Sequence, residues 1–241
     1  MDDITLTGAT KGELTGSGLT RTLNISNITV ENSETLSIEI TNPSGFTISG
    51  SPQTAVVYRA PYVGLEYQGG IIAYIFQAGD TDKYVAGETH GLIAATTDQS
   101  DGIVWITGTG ESGYPNTITG TGIGTTSPEI GTGYDNTLAM KAQERYIGGA
   151  AQVCTDYSVT KGINVYNDWF LPSYNELLKL YENRVIIGGF FSNDDPYLGS
   201  YWSSTESGSS TVRIKHFSGN SITHTSKYIP NVRVRAVRYF W

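Results

Sequence analysis

A single cysteine, Cys154, in 241 residues removes two classes of chemistry at once. No internal disulfide can form and no cysteine-built metal site can be assembled, so the fold must hold by packing. Charge is also scarce, at 16% of residues, while Gly (29) and Tyr (16) are abundant alongside Ser and Thr. The surface is therefore expected to consist of neutral hydrogen-bonding groups and tyrosine, a composition commoner on virions and cell surfaces than among cytosolic enzymes. No stretch approaches the ~18 to 20 consecutive apolar residues of a membrane span. Met1-Asp2-Asp3 lacks the basic and apolar regions of a secretory signal. The chain reads as soluble, with no membrane insertion.

The formal net charge of -8 opposes general nucleic-acid binding, which depends on clustered Lys and Arg. Its distribution is uneven. From Pro196 onward six basic residues (Arg213, Lys215, Lys227, Arg233, Arg235, Arg238) face the lone acid Glu206, a net of +5 that leaves -13 for the remainder. Such a basic segment is either a polyanion-binding face or a set of long side chains flanking sheet strands.

At 241 residues, one large domain or two modest ones are allowed. The chain divides near Pro61. Before it, Leu19 to Val30, Thr35 to Thr41 and Thr54 to Arg59 are rich in β-branched residues and separated by turn signals such as Asn42-Pro43-Ser44-Gly45. The period of two is clearest at Leu36, Ile38 and Ile40. An immunoglobulin-like β-sandwich over residues 1–62 is expected.

Beyond Tyr62, Gly69 to Phe76, Gly91 to Ala95 and Ile103 to Trp105 read as buried strands, and the Gly/Thr-rich stretch Thr107 to Gly133 as a long surface loop. Tyr134 to Tyr157 reads as a helix with Asn136 as a cap, weakened by Gly148-Gly149. A second helix opens on the capping box Ser173-Tyr174-Asn175-Glu176, with Leu177, Leu178 and Tyr181 turned inward. Short strands follow at Tyr201 to Ser204, Val212 to Phe217, Ser221 to Thr225 and Val232 to Val237.

Four motifs then occur in order: Gly70-Ile71-Ile72 with Tyr74; Asp168-Trp169-Phe170-Leu171-Pro172-Ser173 leading into Glu176-Leu177; Tyr201-Trp202-Ser203-Ser204-Thr205; and Val234-Arg235-Ala236-Val237-Arg238. In this order they resemble bacterial and phage C-type-lectin-like modules, of the fold related to formylglycine-generating enzymes, and more narrowly the variable proteins of diversity-generating retroelements. The resemblance covers Val63 to Trp241. It implies an α+β, C-type-lectin-like domain over 63–241, with two helices, small antiparallel sheets, and Trp169 and Trp202 buried in the core. It further implies that the residues between Ser204-Thr205-Glu206 and Val234-Arg235-Ala236-Val237-Arg238 form an exposed binding face. The candidates are Ser207, Ser209, Ser210, Thr211, Arg213, Lys215, His216, Ser221, Thr223, His224, Ser226, Tyr228 and Asn231, with Tyr228 and Arg213 as the main energetic anchors.

The same stretch makes sense by composition, because Val212, Ile214, Phe217 and Ile222 can anchor strands that display small polar, basic and aromatic groups. The expected activity is non-catalytic recognition of an extracellular protein or glycan from a virion or cell surface, with no cofactor. The alternative is a structural or decoration module, or an adhesin that is not diversified. Other chemistries find little support. His216 and His224 lack a neighbouring carboxylate or cysteine and the i,i+4 spacing of a metal pair. Asn193-Asp194-Asp195-Pro196 reads as a turn in preference to a calcium site, and the Glu-Pro-Asn ligand motif of calcium-dependent lectins is absent. A lone cysteine rules out the cysteine pair of the formylglycine-generating enzymes. No G-x-S-x-G elbow and no phosphate-binding G-x-x-x-x-G-K-[ST] loop is present.

Overall fold

The computed structural model describes residues 4–17, 21–30, 34–40, 51–57, 60–80, 82–108, 122–219 and 222–241. The chain forms two compact units, Met1–Ala60 and Pro61–Trp241.

The first unit contains strands alone: β1 (Ile4–Thr7), β2 (Thr10–Thr15), β3 (Thr22–Ser26), β4 (Thr35–Ile40) and β5 (Gln53–Val56). They make an antiparallel sheet of order β1-β4-β5 and a separate β2-β3 hairpin. β1 and β2 lie ahead of the first strand read from sequence, because Ile4–Thr7 and Thr10–Thr15 carry only one or two apolar side chains each. Among the described residues of this unit only Leu36 is buried, whereas Ile40 at the end of the same strand is 43% exposed. The period of two in β4 is thus satisfied at one end of the strand only.

In the second unit the elements are β6 (Glu66–Tyr67), β7 (Gly70–Ile75), β8 (Gly91–Ala94), β9 (Ser100–Ile103), β10 (Ile106–Gly108), α1 (Gly133–Lys141), β11 (Tyr146–Gly149), α2 (Ala150–Thr155), β12 (Val159–Lys161) and β13 (Asn164–Tyr166). There follow α3 (Tyr174–Glu182), α4 (Arg184–Ile187), β14 (Ser200–Gly208), β15 (Thr211–His216), β16 (His224–Ser226), β17 (Val232–Val234) and β18 (Val237–Phe240). A four-stranded sheet has the order β18-β8-β7-β6 and a five-stranded sheet the order β16-β15-β14-β17-β9, with β10-β11 and β12-β13 as two-stranded sheets. Every pairing in this unit is antiparallel except β14 with β17. The result is a mixed α+β fold built mostly of small sheets.

The continuous apolar runs of β7 and β8 arise because both faces of their sheet are covered. Ile72 and Ile93 point into one core with Trp105, Trp169, Trp202, Val212 and Ile214, while Ala73, Leu92 and Ala94 point into another with Phe170, Leu177, Leu180, Tyr201 and Phe217. Two indoles lock the first core crosswise. Trp105 Nε1 donates to Ser203 O and Trp202 Nε1 donates to Ile103 O, each at 2.7 Å, so β14 and the segment following β9 hold one another's backbone.

Two helical expectations need correction. Four helices stand among the described residues where two were expected, and Tyr134 to Tyr157 is not one helix but α1, β11 and α2 in succession. α1 ends at Lys141, the turn after it carries Arg145 at a φ of +69°, and α2 begins only after Gly149, whose φ of +123° suits glycine and whose position against Trp105 O leaves no room for a Cβ. Asn136 is not a cap: it is buried within α1, its amide bonded to Ser127 N, Ser127 O and Ser204 Oγ.

The capping box of α3 is present as expected, Ser173 Oγ accepting from Glu176 N while Glu176 Oε2 accepts from Ser173 N. Glu176 does more than cap. It is fully buried and its Oε1 also accepts from Gly131 N and Tyr239 Oη, each at 2.8 Å, tying α3 to the chain before α1 and to β18. Burial pushes this carboxyl up from its ordinary range, and the backbone N–H groups and the tyrosine hydroxyl pull the other way.

Trp202 has no exposed surface and Trp169 only 1%, so removing the first leaves a large void and an unmatched carbonyl. Trp202→Ala should cost about 3 to 5 kcal/mol, checked by denaturant unfolding; a loss below about 1 kcal/mol would show that β14 is not held by its indole.

Candidate functional site: a polar face on strands β14 to β16

β15 shows how the sequence builds a two-sided strand. Val212, Ile214 and His216 are buried, while Thr211, Arg213 and Lys215 between them are half-buried and point the other way. β16 continues the same face, since Thr211 pairs with Ser226 and Arg213 with His224, and the buried pair Val212 and Thr225 lies between them. Ser207 belongs to the neighbouring strand and donates its hydroxyl to Thr211 Oγ1 at 3.0 Å. Ser209 and Ser210 form the exposed turn of the β14-β15 hairpin, and Thr223 is exposed just before β16.

The structure thus brings Ser207, Ser209, Ser210, Thr211, Arg213, Lys215, Thr223, His224 and Ser226 onto one hairpin-and-edge-strand assembly. His216 does not belong to it. It is buried, with Nε2 3.0 Å from Asp195 O and Nδ1 2.9 Å from Ser218 Oγ. The reason is parity, because Lys215 and His216 are adjacent in a strand and only one of them can face out. Asn231 is exposed but sits at the start of β17, packed beside Gly102, with β14 between it and β15. Tyr228 is half-buried in the turn after β16. Ser221 lies outside the described residues.

The face has aromatic neighbours that sequence reading did not assign to it. Arg213 Cζ lies 5.0 Å from the centroid of Tyr174, and Lys215 Nζ lies 4.0 Å from that of Tyr181, which also carries Arg184 at 4.1 Å. Tyr174 and Tyr181 are seven residues apart on α3, two helical turns, and therefore share a helix face. That spacing was a signal present in the sequence. Cations over tyrosine rings are attracted by about 0.5 to 1 kcal/mol at exposed sites, enough to orient the long side chains without immobilising them.

Below the face lies an ion pair. Lys227 Nζ and Glu206 Oε1 are 2.5 Å apart with side chains 2% and 8% exposed, and the ammonium sits 5.0 Å from the Trp105 centroid. Glu206 also accepts from Ile123 N at 2.8 Å and Gly124 N at 3.1 Å. The latter half of the Gly/Thr-rich stretch carries neither helix nor strand over residues 122–132, as expected of a surface loop, but it is pinned to β14 through Glu206; residues 109–121 lie outside the described residues. Ser127 N, Pro128 O, Glu129 O and Gly131 N are bonded to Asn136, Asn175, Ser173 and Glu176 respectively.

Neither reading of the basic C-terminal segment survives whole. Lys227, Arg235 and Arg238 are buried and paired with Glu206, Asp98 and Asp168, and Arg233 shares Asp98. Arg213 and Lys215 remain as the segment's cations on the face. Among the described residues no group of three or more His, Cys, Asp and Glu could hold a metal ion. Asn193 and Asp195 build a turn: Asn193 Oδ1 accepts from Asp195 N, and Asp195 Oδ1 accepts from Tyr197 N and Leu198 N. Those two backbone donors hold the exposed Asp195 carboxyl below its ordinary range. No helix of the described residues is long and apolar enough to cross a membrane.

Because the Glu206 and Lys227 pair is buried, neutralising one partner strands the other. Glu206→Gln should cost about 3 to 5 kcal/mol, and Glu206→Gln with Lys227→Met should cost less than the sum of the two single changes, a coupling of about 1 kcal/mol or more. Additive losses in such a double-mutant cycle would mean that the two side chains do not act on each other.

No protein-family model matches this chain, and no curated protein matches it. The chemistry of the face therefore rests on the residues themselves.

Proposed function

We propose that the chain is a non-catalytic binding protein whose second unit, a C-type-lectin-like module, presents a variable ligand face on β14, β15 and β16. In this reading the first unit is an immunoglobulin-like spacer, and the ligand is an extracellular protein or glycan met from a virion or cell surface. The observation that carries the proposal is the division of labour along β15. Val212 and Ile214 are wholly buried among Trp105 and Trp202, whereas the alternating Thr211, Arg213 and Lys215 stand out beside His224 and Ser226. Side chains on the outer side can change without removing a core contact.

The chemistry of the face fits recognition. Small hydroxyl residues supply adaptable hydrogen bonds, and Arg213, Lys215, Tyr174 and Tyr181 supply the larger contacts in which binding energy concentrates. The interior carboxylates, in contrast, are occupied by structural donors: Glu176 by one N–H group and a hydroxyl beyond its own cap, Glu206 by Lys227, Asp98 by two arginines. Their roles are those of ties, not of acids or bases poised over a substrate. Diversification of the face by a retroelement is the part of the proposal taken from the resemblance of the four motifs. It predicts a near-copy of the 3′ end of the gene beside a reverse transcriptase, with mismatches confined to adenines.

The test is a display library randomised together at Ser207, Ser209, Thr211, Arg213, Lys215, Thr223, His224 and Ser226. Most members should remain folded, as read by protease resistance, and selection against an arbitrary test protein should return binders whose sequences differ from the parent at these positions. A library that is largely unfolded would make the face part of the framework, and a folded library that yields no binders would contradict its use as a recognition surface.

A further inference from the structure

Away from the polar face, a cleft of about 320 Å³ is lined by Lys83, Tyr134, Asp168, Phe170, Tyr239 and Trp241. Its floor is Phe170 and Tyr239, 1% and 8% exposed, with ring centroids 4.5 Å apart. Two rings rise from that floor as walls. Tyr134 stands at 82° to Phe170 with centroids 5.8 Å apart, and Trp241 stands at 62° to Tyr239 at 6.0 Å. The walls are exposed, 43% for Tyr134 and 63% for Trp241. Trp241 is steadied from behind by His90, at 5.0 Å and 79°, and His90 is itself bonded to Glu88 at 2.8 Å. Large aromatic surfaces left in water at fixed angles need a reason, and the core does not use these two faces.

The rim carries one group of each charge. Lys83 Nζ lies 5.9 Å from the Tyr239 centroid and 6.0 Å from that of Trp241. Asp168 is half exposed, and both its oxygens are oriented by Arg238, at 2.7 Å from Nε and 3.0 Å from Nη2. Each oxygen keeps a lone pair for a further donor. Lys83 already occupies the position over the rings that a ligand cation would take and would repel a second one. Asp168 at the same rim disfavours an anion. A purely apolar ligand would bury, without hydrogen bonds, the lone pairs that Asp168 keeps beyond Arg238 and the donors that Lys83 keeps beyond Asp82, which lies 3.6 Å away.

From these constraints we infer that the cleft between Tyr134 and Trp241 binds a neutral saccharide, one or two rings in size. The flat C–H face of a sugar ring stacks on an exposed aromatic wall, while its hydroxyls donate to Asp168 and accept from Lys83. The volume lies at the small end of the ~300 to 1,000 Å³ of ligand pockets. The site shares no lining residue with the polar face, so it stands or falls independently of the proposed function.

The full chain is titrated with neutral mono- and disaccharides (glucose, galactose, mannose, N-acetylglucosamine, cellobiose, lactose) and in parallel with tetramethylammonium and acetate. Intrinsic fluorescence and saturation-transfer NMR are the readouts. Trp105, Trp169 and Trp202 are buried, so a ligand-dependent change in emission reports on Trp241. At least one saccharide should bind saturably with a Kd of about 1 mM or tighter. Trp241→Ala and Tyr134→Ala should each weaken it by about tenfold or more with an unchanged melting temperature, since both side chains are exposed. The inference is overturned if no saccharide in the panel binds, if both variants bind as the parent does, or if tetramethylammonium or acetate occupies the cleft in place of a sugar.

Discussion

Arg235 is the side chain about which the second unit is assembled. Its guanidinium is fully buried, and every direction in which it can donate is used: Nε and Nη2 to Asp98, Nη1 to Ala95 O at 3.0 Å and Gly188 O at 3.3 Å, Nη2 to Gly189 O at 2.5 Å. Its plane lies over Phe190, 4.1 Å from Cζ to centroid. Asp98 in turn accepts from Tyr201 Oη at 2.9 Å and Arg233 Nη1 at 3.2 Å. A buried charge is tolerated only when paired and saturated with hydrogen bonds, so this one position obliges the end of β8, the exit of α4, the start of β14 and the link from β17 to β18 to meet at one place. The polar face follows from that meeting, because β14 is the strand on which β15 and then β16 are laid.

The sequence showed plainly those features whose cause is local. The capping box of α3 lies within four residues, the doubly covered strands β7 and β8 announce themselves as apolar runs, and the alternation of β15 is visible once its first buried residue is placed. What it hid is long-range. Arg235 and Asp98 are 137 residues apart, so six basic residues near the C-terminus looked like surface charge when most of them are internal ties. The helix expected over Tyr134 to Tyr157 stops at Lys141 because the chain then pairs, as β11, with β10, distant in sequence, up to Gly149 and its close approach to Trp105 O. His216 lies between the Ser204-Thr205-Glu206 and Val234-Arg235-Ala236-Val237-Arg238 frames, which alone put it among the face residues, and strand parity removes it. Tyr174 and Tyr181 were read as helix residues, and only the packing of α3 against β15 shows that they border the face.

The face and the aromatic cleft differ in their chemistry as they do in their place. One is a set of short hydroxyl side chains and two stacked cations on an edge of the five-stranded sheet, adaptable in shape. The other is a pair of fixed rings with one donor and one acceptor, on the side where β18 ends. Glu176 joins them mechanically: its capping of α3 positions Tyr174 and Tyr181, and its bond to Tyr239 Oη fixes the floor of the cleft. Adaptable and rigid surfaces can coexist on a small module because neither contributes its outward atoms to the core.

The central claim is that the outer residues of β15 and β16 are independent of the framework beneath them. Residue-resolved amide hydrogen exchange tests it most directly, comparing the parent with a variant in which Ser207, Ser209, Thr211, Arg213, Lys215, Thr223 and His224 are all alanine. The account predicts that the amides of Tyr201, Trp202 and Ile214 keep their protection in the variant, with changes confined to the Ser209–Ser210 turn and β16. Loss of protection at Trp202 and Ile214 would show that the face is part of what holds the module together, and would contradict the account.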